Sequence, residues 1–208
     1  MTSQPLVSIV ILNWNGEKIF SACIESLLNC EYSNKEILFV DNGSSDKSLE
    51  IARGFSGISI IENGKNLGYA AGNNRAINRI SGKYVCFLNT DIIVDPAWLN
   101  DAVFYLETNK AIGAIACRNM DYYNKHIIDG LYHYIIPFFT IMRFGRGKPF
   151  NDDPLYSEPG FVLSALGSSA IYRTDLFKTL GGFDESFFAY LEDVDLCMRI
   201  NNYGYRCL

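Results

Sequence analysis

The chain of 208 residues is 49% hydrophobic and 20% charged, and its formal net charge is −5. This length and composition exclude intrinsic disorder and predict one folded domain with a substantial core. The acidic balance argues against nucleic-acid binding, which needs a basic surface. The six cysteines include no CxxC pair and favour a reduced, cytoplasmic compartment. The two histidines, His126 and His133, have no carboxylate or thiol cluster near them in the sequence, so no structural zinc site is predicted.

The first half of the chain alternates short apolar runs with amphipathic segments. Short apolar runs are typical of buried parallel strands, and the segments between them have helical spacing. This alternation predicts an α/β fold with a mainly parallel, doubly wound sheet and helices on both faces. Ser44 or Ser45 is expected to cap the second helix, and Asp95 the fourth. The predicted strands are 7–12, 36–40, 58–61, 83–88 and 112–117, and the predicted helices are 17–30, 46–55, about 68–80 and from 95 onward.

The second half begins with a segment that breaks this pattern. Residues 118–160 are rich in aromatic and turn-forming residues without a clean period, so we expect an irregular region that is functional or mobile. Within it, the apolar stretch at 134–142 is too short to span a bilayer. Packing is the favoured interpretation of this stretch, with a groove cover or a peripheral membrane contact as alternatives. An apolar run at 161–172 and helices at about 174–180 and 191–203 complete a single domain.

Two acidic residues follow closely after predicted strands. Asp41 directly follows the strand at 36–40, and Asp91 follows the strand at 83–88. Ligands of open α/β sheets bind outside the carboxyl ends of the strands, so both carboxylates point to one crevice. Asp41 either accepts a hydrogen bond from a ribose hydroxyl or belongs to a turn, and taken alone the turn is favoured. Asp91 and the amide of Asn89 either bind Mg²⁺ or Mn²⁺ beside diphosphate oxygens or form a capping turn.

The segment at 66–74 is rich in glycine and asparagine where a helix begins. Backbone N–H groups at a helix N-terminus suit phosphate, which makes Asn66, Gly68, Gly72 and Asn73 candidates for a nucleotide site. Close packing of the helix on the sheet is an equally strong alternative. The spacing is not GxGxxG, so a nicotinamide or flavin cofactor is not predicted.

The last predicted helix opens with the acidic sequence Glu192-Asp193-Val194-Asp195. Acidic residues in a first turn stabilise the helix dipole, which explains them without any function. Asp195 can form an i,i+4 ion pair with Arg199. Asp193 points away from the apolar face and has no evident structural task, so it is the candidate general base. That apolar face is predicted to consist of Leu191, Val194, Cys197 and Met198.

Together these segments resemble the family-2 glycosyltransferases, which have the GT-A fold and use nucleoside-diphosphate sugars. The resemblance runs from Val7 to Arg206 and is greatest to the rhamnosyltransferase-type branch. Its most specific part is the segment at 181–185 with the run at 187–196 after it. The stretches at 40–46 and 66–74 match as well, and the four motifs stand in the family's order.

The resemblance implies a role for each group of residues. Asp41 would contact the base or ribose of the donor, and Asp91, at the last position of the family's Asp-x-Asp motif, would bind a divalent ion. Asp193 would deprotonate an acceptor hydroxyl for in-line attack on the anomeric carbon, with inversion. The other expected donor contacts are Asn13, Asn15, Asn66, Gly68, Gly72, Asn73 and Asn89, and the expected acceptor contacts are Gly182, Phe183, Asp184, Glu185 and Glu192.

The same resemblance implies a nucleotide-binding half up to about residue 117 and an acceptor-binding half from 118 to 208. The expected reaction moves a sugar to a hydroxyl of a surface polysaccharide or lipid-linked glycan, in the cytoplasm at the inner face of the membrane. The chain departs from the family pattern at Asn89, which replaces the first motif Asp, and at Asn73, where many relatives carry Arg. Relatives also continue beyond the last residue here, so we expect the complete enzyme to contain further elements.

Two other functions stay open. A sugar nucleotidyltransferase normally has a basic, glycine-rich loop after the first strand, and here that loop is Asn13-Trp14-Asn15-Gly16, followed by Glu17. A domain that binds nucleotide or glycan without turnover is the stronger alternative. It is favoured by Asn89 in the metal motif and by the absence of the elements that follow in relatives.

Overall fold

The computed structural model describes residues 4–136, 140–151 and 153–208. Its strands are β1 (Val7–Asn13), β2 (Lys35–Asp41), β3 (Ile58–Glu62), β4 (Tyr84–Asn89), β5 (Ile112–Ala116), β6 (Asn119–Met120), β7 (Ile128–Gly130), β8 (His133–Ile136), β9 (Thr140–Arg143), β10 (Ser169–Arg173) and β11 (Arg206–Cys207). Among the described residues, seven of these strands form the central sheet, in the order β11-β5-β10-β4-β1-β2-β3. β1 pairs in parallel with β2 on one side and β4 on the other, so the carboxyl ends of these three strands lie side by side.

Helices cover both faces of this sheet. They are α1 (Phe20–Leu28), α2 (Ser48–Arg53), α3 (Gly68–Asn74), α4 (Trp98–Thr108), α5 (Pro154–Ser157), α6 (Thr174–Thr179) and α7 (Glu192–Asn202), with a 3₁₀ turn at Ile77–Arg79. Side chains of α1 and α4 pack with Ile9 and Ile11 of β1, whereas those of α3, α6 and α7 pack with Val10. Alternate residues of a strand point to opposite faces, so one apolar run serves both layers. The predicted doubly wound α/β class is confirmed, with β10 as an antiparallel strand between β4 and β5.

Aromatic side chains fill the layer between β4 and α6. The ring centroid of Phe87 lies 4.9 Å from those of Phe177 and Phe183, and all three side chains are buried. Burial of one such ring contributes about 1.5–3 kcal/mol, and truncating one to alanine costs about 3–5 kcal/mol. Because Phe183 belongs to the segment before α7, this cluster helps to fix where α7 begins.

The two predicted helix caps are wrong in detail. α2 begins at Ser48, and Asp46 Oδ1 accepts the hydrogen bond from Ser48 N (3.0 Å), so neither Ser44 nor Ser45 caps the helix. Those two serines bind the loop after β1 instead. Asp95 and the proline after it form a turn that precedes α4. Helix starts shift in this way because short side-chain turns compete with the first helical turn.

Residues 118–160 are more regular than the sequence predicts. They contain two antiparallel hairpins, β6–β7 and β8–β9, and the short helix α5. The hairpin β8–β9 holds most of the apolar stretch at 134–142, of which residues 137–139 lie outside the described residues. The expectation of an irregular region is therefore wrong. Strands of two to four residues are too short for alternation to be visible in a sequence.

The cysteines behave as small apolar residues. All six are free thiols, and only Cys117 is not fully buried, in keeping with the apolar patterns around them. Across the parts of the chain that the structure describes, no helix is both long enough and apolar enough to cross a membrane.

Candidate functional site

Two buried oxygen atoms without a partner lie side by side at the carboxyl edge of the sheet. Asn13 ends β1 and Asp41 ends β2, and the two residues are direct register partners. Asp41 Oδ2 accepts hydrogen bonds from Gly43 N (3.2 Å) and Ser44 N (3.1 Å), while its Oδ1 is buried and has no partner among the described residues. The Asn13 amide donates to Ser44 Oγ (3.1 Å), and its Oδ1 is likewise buried and unpaired.

This arrangement reconciles the two interpretations of Asp41. One carboxylate oxygen forms the turn that favoured the structural interpretation, and the other is buried without a partner among the described residues. A buried acceptor without a donor costs about 1–3 kcal/mol, and such atoms are rare in folded proteins. Unpaired oxygens on adjacent strand ends are therefore suited to a ligand that brings hydrogen-bond donors to this edge.

The loop after β1 borders the same edge. Asn15 has a left-handed backbone (φ 53°), and its Oδ1 accepts a hydrogen bond from Ser45 N (2.8 Å). Its side chain thus ties the loops after β1 and β2 together. These two loops line a shallow groove of about 440 Å³. Trp14 lies between Asn13 and Asn15 in the chain with a relative exposure of 56%, so this loop presents a large aromatic surface to solvent.

Asn42 organises the glycine-rich segment through four hydrogen bonds. Its Oδ1 accepts from Asn63 Nδ2 and Leu67 N, both at 3.1 Å. Its Nδ2 donates to Asn66 Oδ1 (3.0 Å) and Gly68 O (3.1 Å). The amide oxygen of Asn66 also accepts from Gly68 N (2.8 Å), so Asn66 holds the shape of the loop.

Close packing accounts for the rest of that segment. Gly68 has a φ of 79°, and a Cβ there would collide with the Phe188 carbonyl, which accepts a hydrogen bond from Tyr69 N (2.6 Å). A Cβ on Gly72 would lie 2.9 Å from the side chain of a β1 leucine. Asn73 is buried and donates to Tyr69 O (3.0 Å). These contacts favour the packing interpretation over a phosphate cradle, since the segment's polar groups already have protein partners.

Asn89 and Asp91 lie at the end of β4, next to β1. Asn89 N donates to Ser168 O (3.0 Å), which anchors the strand end, and Asp91 is exposed. Burial, together with the charge of Asp91, raises the pKa of the Cys23 thiol to about 12, so this thiol is neutral and a poor metal ligand. The described residues contain no cluster of three or more His, Cys, Asp or Glu side chains suited to hold an ion.

The donor set at this strand end is one carboxylate and one amide. Mg²⁺ is usually bound through one or two carboxylates, with substrate phosphates and water completing its shell. Asp91 and Asn89 therefore fit an ion shared with a diphosphate and do not fit an all-protein site.

Asp193 has a structural task, contrary to the sequence-based expectation. Asp193 is buried. Its Oδ2 accepts a hydrogen bond from Gly167 N (2.6 Å), and its Oδ1 accepts one from Val194 N (2.8 Å). The predicted apolar face is also partly wrong, because Leu191 and Met198 are exposed whereas Val194 is buried. The loop before β10 covers the first turn of α7, and this long-range contact decides which side is buried.

Glu192 is the second buried carboxylate at the start of α7. Its Oε2 has no partner among the described residues, and burial, assisted by the charge of Asp193, raises its pKa to about 7. Tyr190 and Leu191, directly before it, both have a φ of 72°. Left-handed backbone at two successive bulky residues is strained and is typical of functional sites. The predicted pair of Asp195 with Arg199 is confirmed, at 2.8 Å.

His133 approaches Asp193 from the hairpin β8–β9. Its Nδ1 lies 3.6 Å from Asp193 Oδ2, and its side chain is 12% exposed. That nitrogen is buried and has no hydrogen-bond partner in the described parts of the chain. The fold thus brings His133 to a carboxylate that is distant from it in the sequence.

The segment before α7 divides into a buried part and an exposed part. Phe183 is a core residue, and a Cβ on buried Gly182 would contact the side chain of Asn74. Asp184 and Glu185 are exposed. Asn74 Nδ2 donates to Glu185 Oε1 (3.1 Å), which ties the segment to α3. Of these expected acceptor contacts, Asp184 and Glu185 present carboxylates to solvent.

A comparison with protein families decides where this chain belongs. The family described as glycosyl transferase family 2 matches residues 8–181. The chain belongs to that family. The family-2 assignment confirms the resemblance inferred from the motifs at 40–46, 66–74 and 181–196.

Two family-2 relatives illustrate how far the similarity extends. An uncharacterised glycosyltransferase of Haemophilus influenzae is 36% identical over 119 residues, covering 55% of this chain and 37% of the relative. Rhamnosyltransferase WbbL of Escherichia coli is 26% identical over 214 residues, covering 97% of this chain and 79% of the relative. The chain thus spans little more than a third of the Haemophilus relative.

A solved structure shows the fold of this family-2 chain. The mannosyltransferase PcManGT from Pyrobaculum calidifontis, in complex with GDP-Man and Mn²⁺, superposes with a TM-score of 0.74 at 19% sequence identity. The match covers 100% of this chain and 55% of that protein. The predicted GT-A fold is confirmed.

Sequence reasoning missed three residues of the site. Asn42 follows Asp41 directly, so its place at a strand end was a usable signal. Trp14 stands between two predicted donor contacts, and an aromatic residue in a loop at the sheet edge was a second signal. His133 gave no signal, because it lies in the region without periodicity and far from Asp193 in the chain.

Proposed function

We propose that this family-2 chain carries the catalytic domain of a glycosyltransferase that moves a sugar from a nucleoside-diphosphate donor to an acceptor hydroxyl, with inversion. The observation that carries the proposal is the pair of buried, unpaired oxygens of Asn13 and Asp41 on adjacent strand ends. Donor N–H or O–H groups of a base and ribose are the natural partners for such acceptors. Trp14, with its exposed indole, is the proposed stacking surface for the base.

The diphosphate of the donor is proposed to lie beside the end of β4. Asp91 and Asn89 would hold Mg²⁺ or Mn²⁺ there together with phosphate oxygens. When bound, this ion neutralises the charge that develops on the departing diphosphate. The neighbour in complex with GDP-Man and Mn²⁺ supports a divalent ion in proteins of this fold.

Asp193 is proposed as the general base for the acceptor. Hydrogen bonds from Gly167 N and Val194 N orient its carboxylate, and Oδ1, which accepts from Val194 N, keeps a lone pair for an acceptor hydroxyl. A base on the face of the sugar opposite the diphosphate leads to inversion. Asp184, Glu185 and Glu192 are the proposed acceptor contacts near it.

The acceptor is proposed to be a surface polysaccharide or a lipid-linked glycan at the cytoplasmic face of the membrane. The similarity to a protein named rhamnosyltransferase supports a rhamnosyl donor. The free cysteines support a reducing compartment. The division into a nucleotide-binding half up to residue 117 and an acceptor-binding half after it is part of the same proposal.

A non-catalytic domain that binds nucleotide or glycan is the second candidate. It is favoured by Asn89, which weakens the metal site, and by the backbone hydrogen bonds that give Asp193 a structural explanation. The two candidates share the donor site and differ in turnover.

A thermal-shift screen with UDP, GDP and dTDP, each with and without Mn²⁺, tests the donor site. A nucleotide that binds only the folded state raises the melting temperature by mass action, by an amount set by RT ln(1 + [L]/Kd). Asp41→Asn is expected to weaken binding of the nucleotide that stabilises the wild type by at least about tenfold, because the substitution removes the buried negative charge. Asp95→Asn, in a turn that also accepts a backbone N–H, is the matched control and is expected to bind normally.

Release of the nucleoside diphosphate from the corresponding sugar donor then separates the two candidates. Release above the uncatalysed rate supports the transferase, and nucleotide binding without release supports the binding domain. No response of the wild type to any of these nucleotides would contradict the transferase and the nucleotide-binding domain, and would leave only a domain that binds glycan.

A further inference from the structure

Among the described residues, three buried side-chain atoms around Asp193 have no hydrogen-bond partner: Glu192 Oε2, Tyr172 Oη and His133 Nδ1. His133 Nδ1 is buried without a hydrogen bond and faces Asp193 Oδ2 at 3.6 Å. We propose that His133 is a positioning residue, whose imidazole donates from Nδ1 to Asp193 Oδ2 and holds the carboxylate ready for the acceptor proton. This inference rests on the proposed function, in which Asp193 is the base.

The backbone delivers this ring to a fixed place. His133 N donates to Ser164 O (2.9 Å), and the Ser164 hydroxyl, which donates to Ala165 O (2.9 Å), lies 3.4 Å from the carbonyl oxygen of Asp193. The first residue of β8 is therefore tied to the loop that covers the start of α7. Both ends of the contact are thus anchored by the backbone. A ring rotation that brings Nδ1 a few tenths of an ångström closer to Asp193 Oδ2 would complete a hydrogen bond.

The tautomer follows from the partner. An ionised carboxylate oxygen only accepts hydrogen bonds, so the nitrogen that faces it is favoured as N–H. Oδ2 of Asp193 already accepts from Gly167 N, and a second bond from His133 would occupy its other lone pair. Oδ1 accepts only from Val194 N. The proton of the acceptor is therefore expected at Oδ1.

The step itself leaves the histidine unchanged. The acceptor O–H proton moves to Asp193, the acceptor oxygen bonds the anomeric carbon, and the bond to the diphosphate breaks with its electron pair on the diphosphate. His133 neither gains nor loses a proton. Its part is to keep the receiving carboxylate oriented and to stabilise its charge beforehand.

Other titratable groups surround the pair from the neighbouring elements. Glu192 precedes Asp193 on α7, and its pKa is raised to about 7 by burial and by the charge of Asp193. The hydroxyls of Tyr69 on α3 and Tyr172 on β10 have pKa values raised well above the usual range, chiefly by burial, and stay neutral. On α7, a hydrogen bond with the Cys207 thiol lowers the pKa of the Cys197 thiol. On β9, Arg143 is the register partner of His133. Among the carboxylates around the pair, Glu192 has its pKa raised to about 7.

The contact can be tested without catalysis, because the chain has only two histidines. In ¹⁵N-histidine-labelled protein, the Nδ1 resonance of His133 is expected to be that of a protonated nitrogen, and Asp193→Asn is expected to shift it. His126 is exposed and serves as the internal control that stays unchanged. An unprotonated Nδ1, or a His133 signal that ignores Asp193→Asn, would overturn the proposal.

A kinetic test asks whether the contact matters for transfer. His133→Leu is expected to lower kcat for diphosphate release about tenfold, as loss of one hydrogen bond to a charged group predicts, with an unchanged KM for the donor sugar. The acid limb of its pH–rate profile is expected to move to higher pH. His133→Asn keeps an N–H near Nδ1 and should regain most of the rate, whereas His126→Leu should match the wild type.

The donor sugar used is the one whose diphosphate stabilises the wild type in the thermal-shift screen. A wild-type rate in His133→Leu, or an equal loss at every pH that His133→Asn does not restore, would overturn the positioning role. Failure of the proposed function is a separate outcome. In that case the wild-type protein would release no diphosphate, whereas the contact between His133 and Asp193 could still be measured by nuclear magnetic resonance.

Discussion

The two ends of the site handle buried carboxylates in different ways. The first end is the proposed donor edge, formed by Asn13 and Asp41 at the ends of β1 and β2. There, one oxygen of Asp41 accepts the hydrogen bonds of a turn, and the other has no partner among the described residues. At the start of α7, both oxygens of Asp193 accept backbone hydrogen bonds, and the unpaired atoms belong to its neighbours Glu192 and His133. In the proposed function the first arrangement belongs to a ligand contact and the second to the general base.

The two ends also differ in how they are assembled. Asn13 and Asp41 meet because parallel strands place successive ends in register. Asp193 meets Gly167 across 26 residues and meets His133 from a separate hairpin. The donor edge is thus a product of the sheet, whereas the α7 end depends on loops that fold over it.

The largest expected effect is at Asp193. Asp193→Asn should lower transfer by at least about 100-fold, the usual contribution of a general base, with nucleotide binding intact. Asp195→Asn, two residues later, breaks only the pair with Arg199 and should keep most of the activity. Diphosphate release at saturating donor measures both. Equal activity in the two variants would remove Asp193 from the mechanism and the contrast between the two ends with it.

The close contact between Gly68 on α3 and Phe188, in the segment before α7, can be broken by mutation. Gly68→Ala should destabilise the fold by roughly 2–4 kcal/mol, because it combines left-handed backbone strain with a collision against the Phe188 carbonyl. Gly64 has a similar φ of 72° and open space around it, so Gly64→Ala isolates the strain, at roughly 1–2 kcal/mol. Urea denaturation measures both. Equal losses would show that the approach of Phe188 carries no stability.

The proposed metal site at Asn89 and Asp91 can be tested by replacing the Asn89 amide with a carboxylate. Asn89→Asp should lower the Mn²⁺ concentration for half-maximal nucleotide binding by about tenfold, since a second charged oxygen strengthens a site for a hard cation. Asn78→Asp adds the same charge at an exposed position away from the strand ends and is the control. Titration of Mn²⁺ at fixed nucleotide measures the shift. An unchanged midpoint would place the ion elsewhere.

The smallest effect concerns Glu192 and stability. The pKa of Glu192 in the folded protein is about 7, above its usual value. Between that usual pKa and about pH 7, the folded protein therefore keeps the Glu192 carboxyl protonated, whereas the unfolded chain has lost this proton. Stability from this group is therefore highest at low pH and falls as the pH rises through 7. Glu192→Gln should raise the melting temperature at pH 8 by about 2–4 °C and have little effect at pH 4.

The exposed Glu25→Gln on α1 is the control for that experiment, with no expected change at either pH. A melting-temperature gain for Glu192→Gln that is the same at pH 4 and pH 8 would mean that packing, and not ionisation, explains it.

Much of the fold follows from local sequence patterns. The runs that became β1, β2 and β4 are apolar on both faces, and their ends carry Asn13, Asp41 and Asn89, so the donor edge could be predicted from strand order alone. The boundaries were less exact, as α2 and α4 show, because side-chain turns compete with the first helical turn. The strands of residues 118–160 escaped prediction because they are only two to four residues long.

The sequence by itself therefore determined the layered α/β architecture, the family and the placement of Asn13, Asp41 and Asn89 at one edge of the sheet, since each depends on periodicity and on residues close together in the chain. Only the tertiary structure decided which oxygen of Asp41 is free, that Asp193 is bound by the Gly167 amide, and that His133 lies beside it. Those facts depend on contacts between distant segments, and burial of a polar group is a property of what covers it. A sequence pattern records which residues are present, whereas the fold decides which of their hydrogen bonds are left unmade.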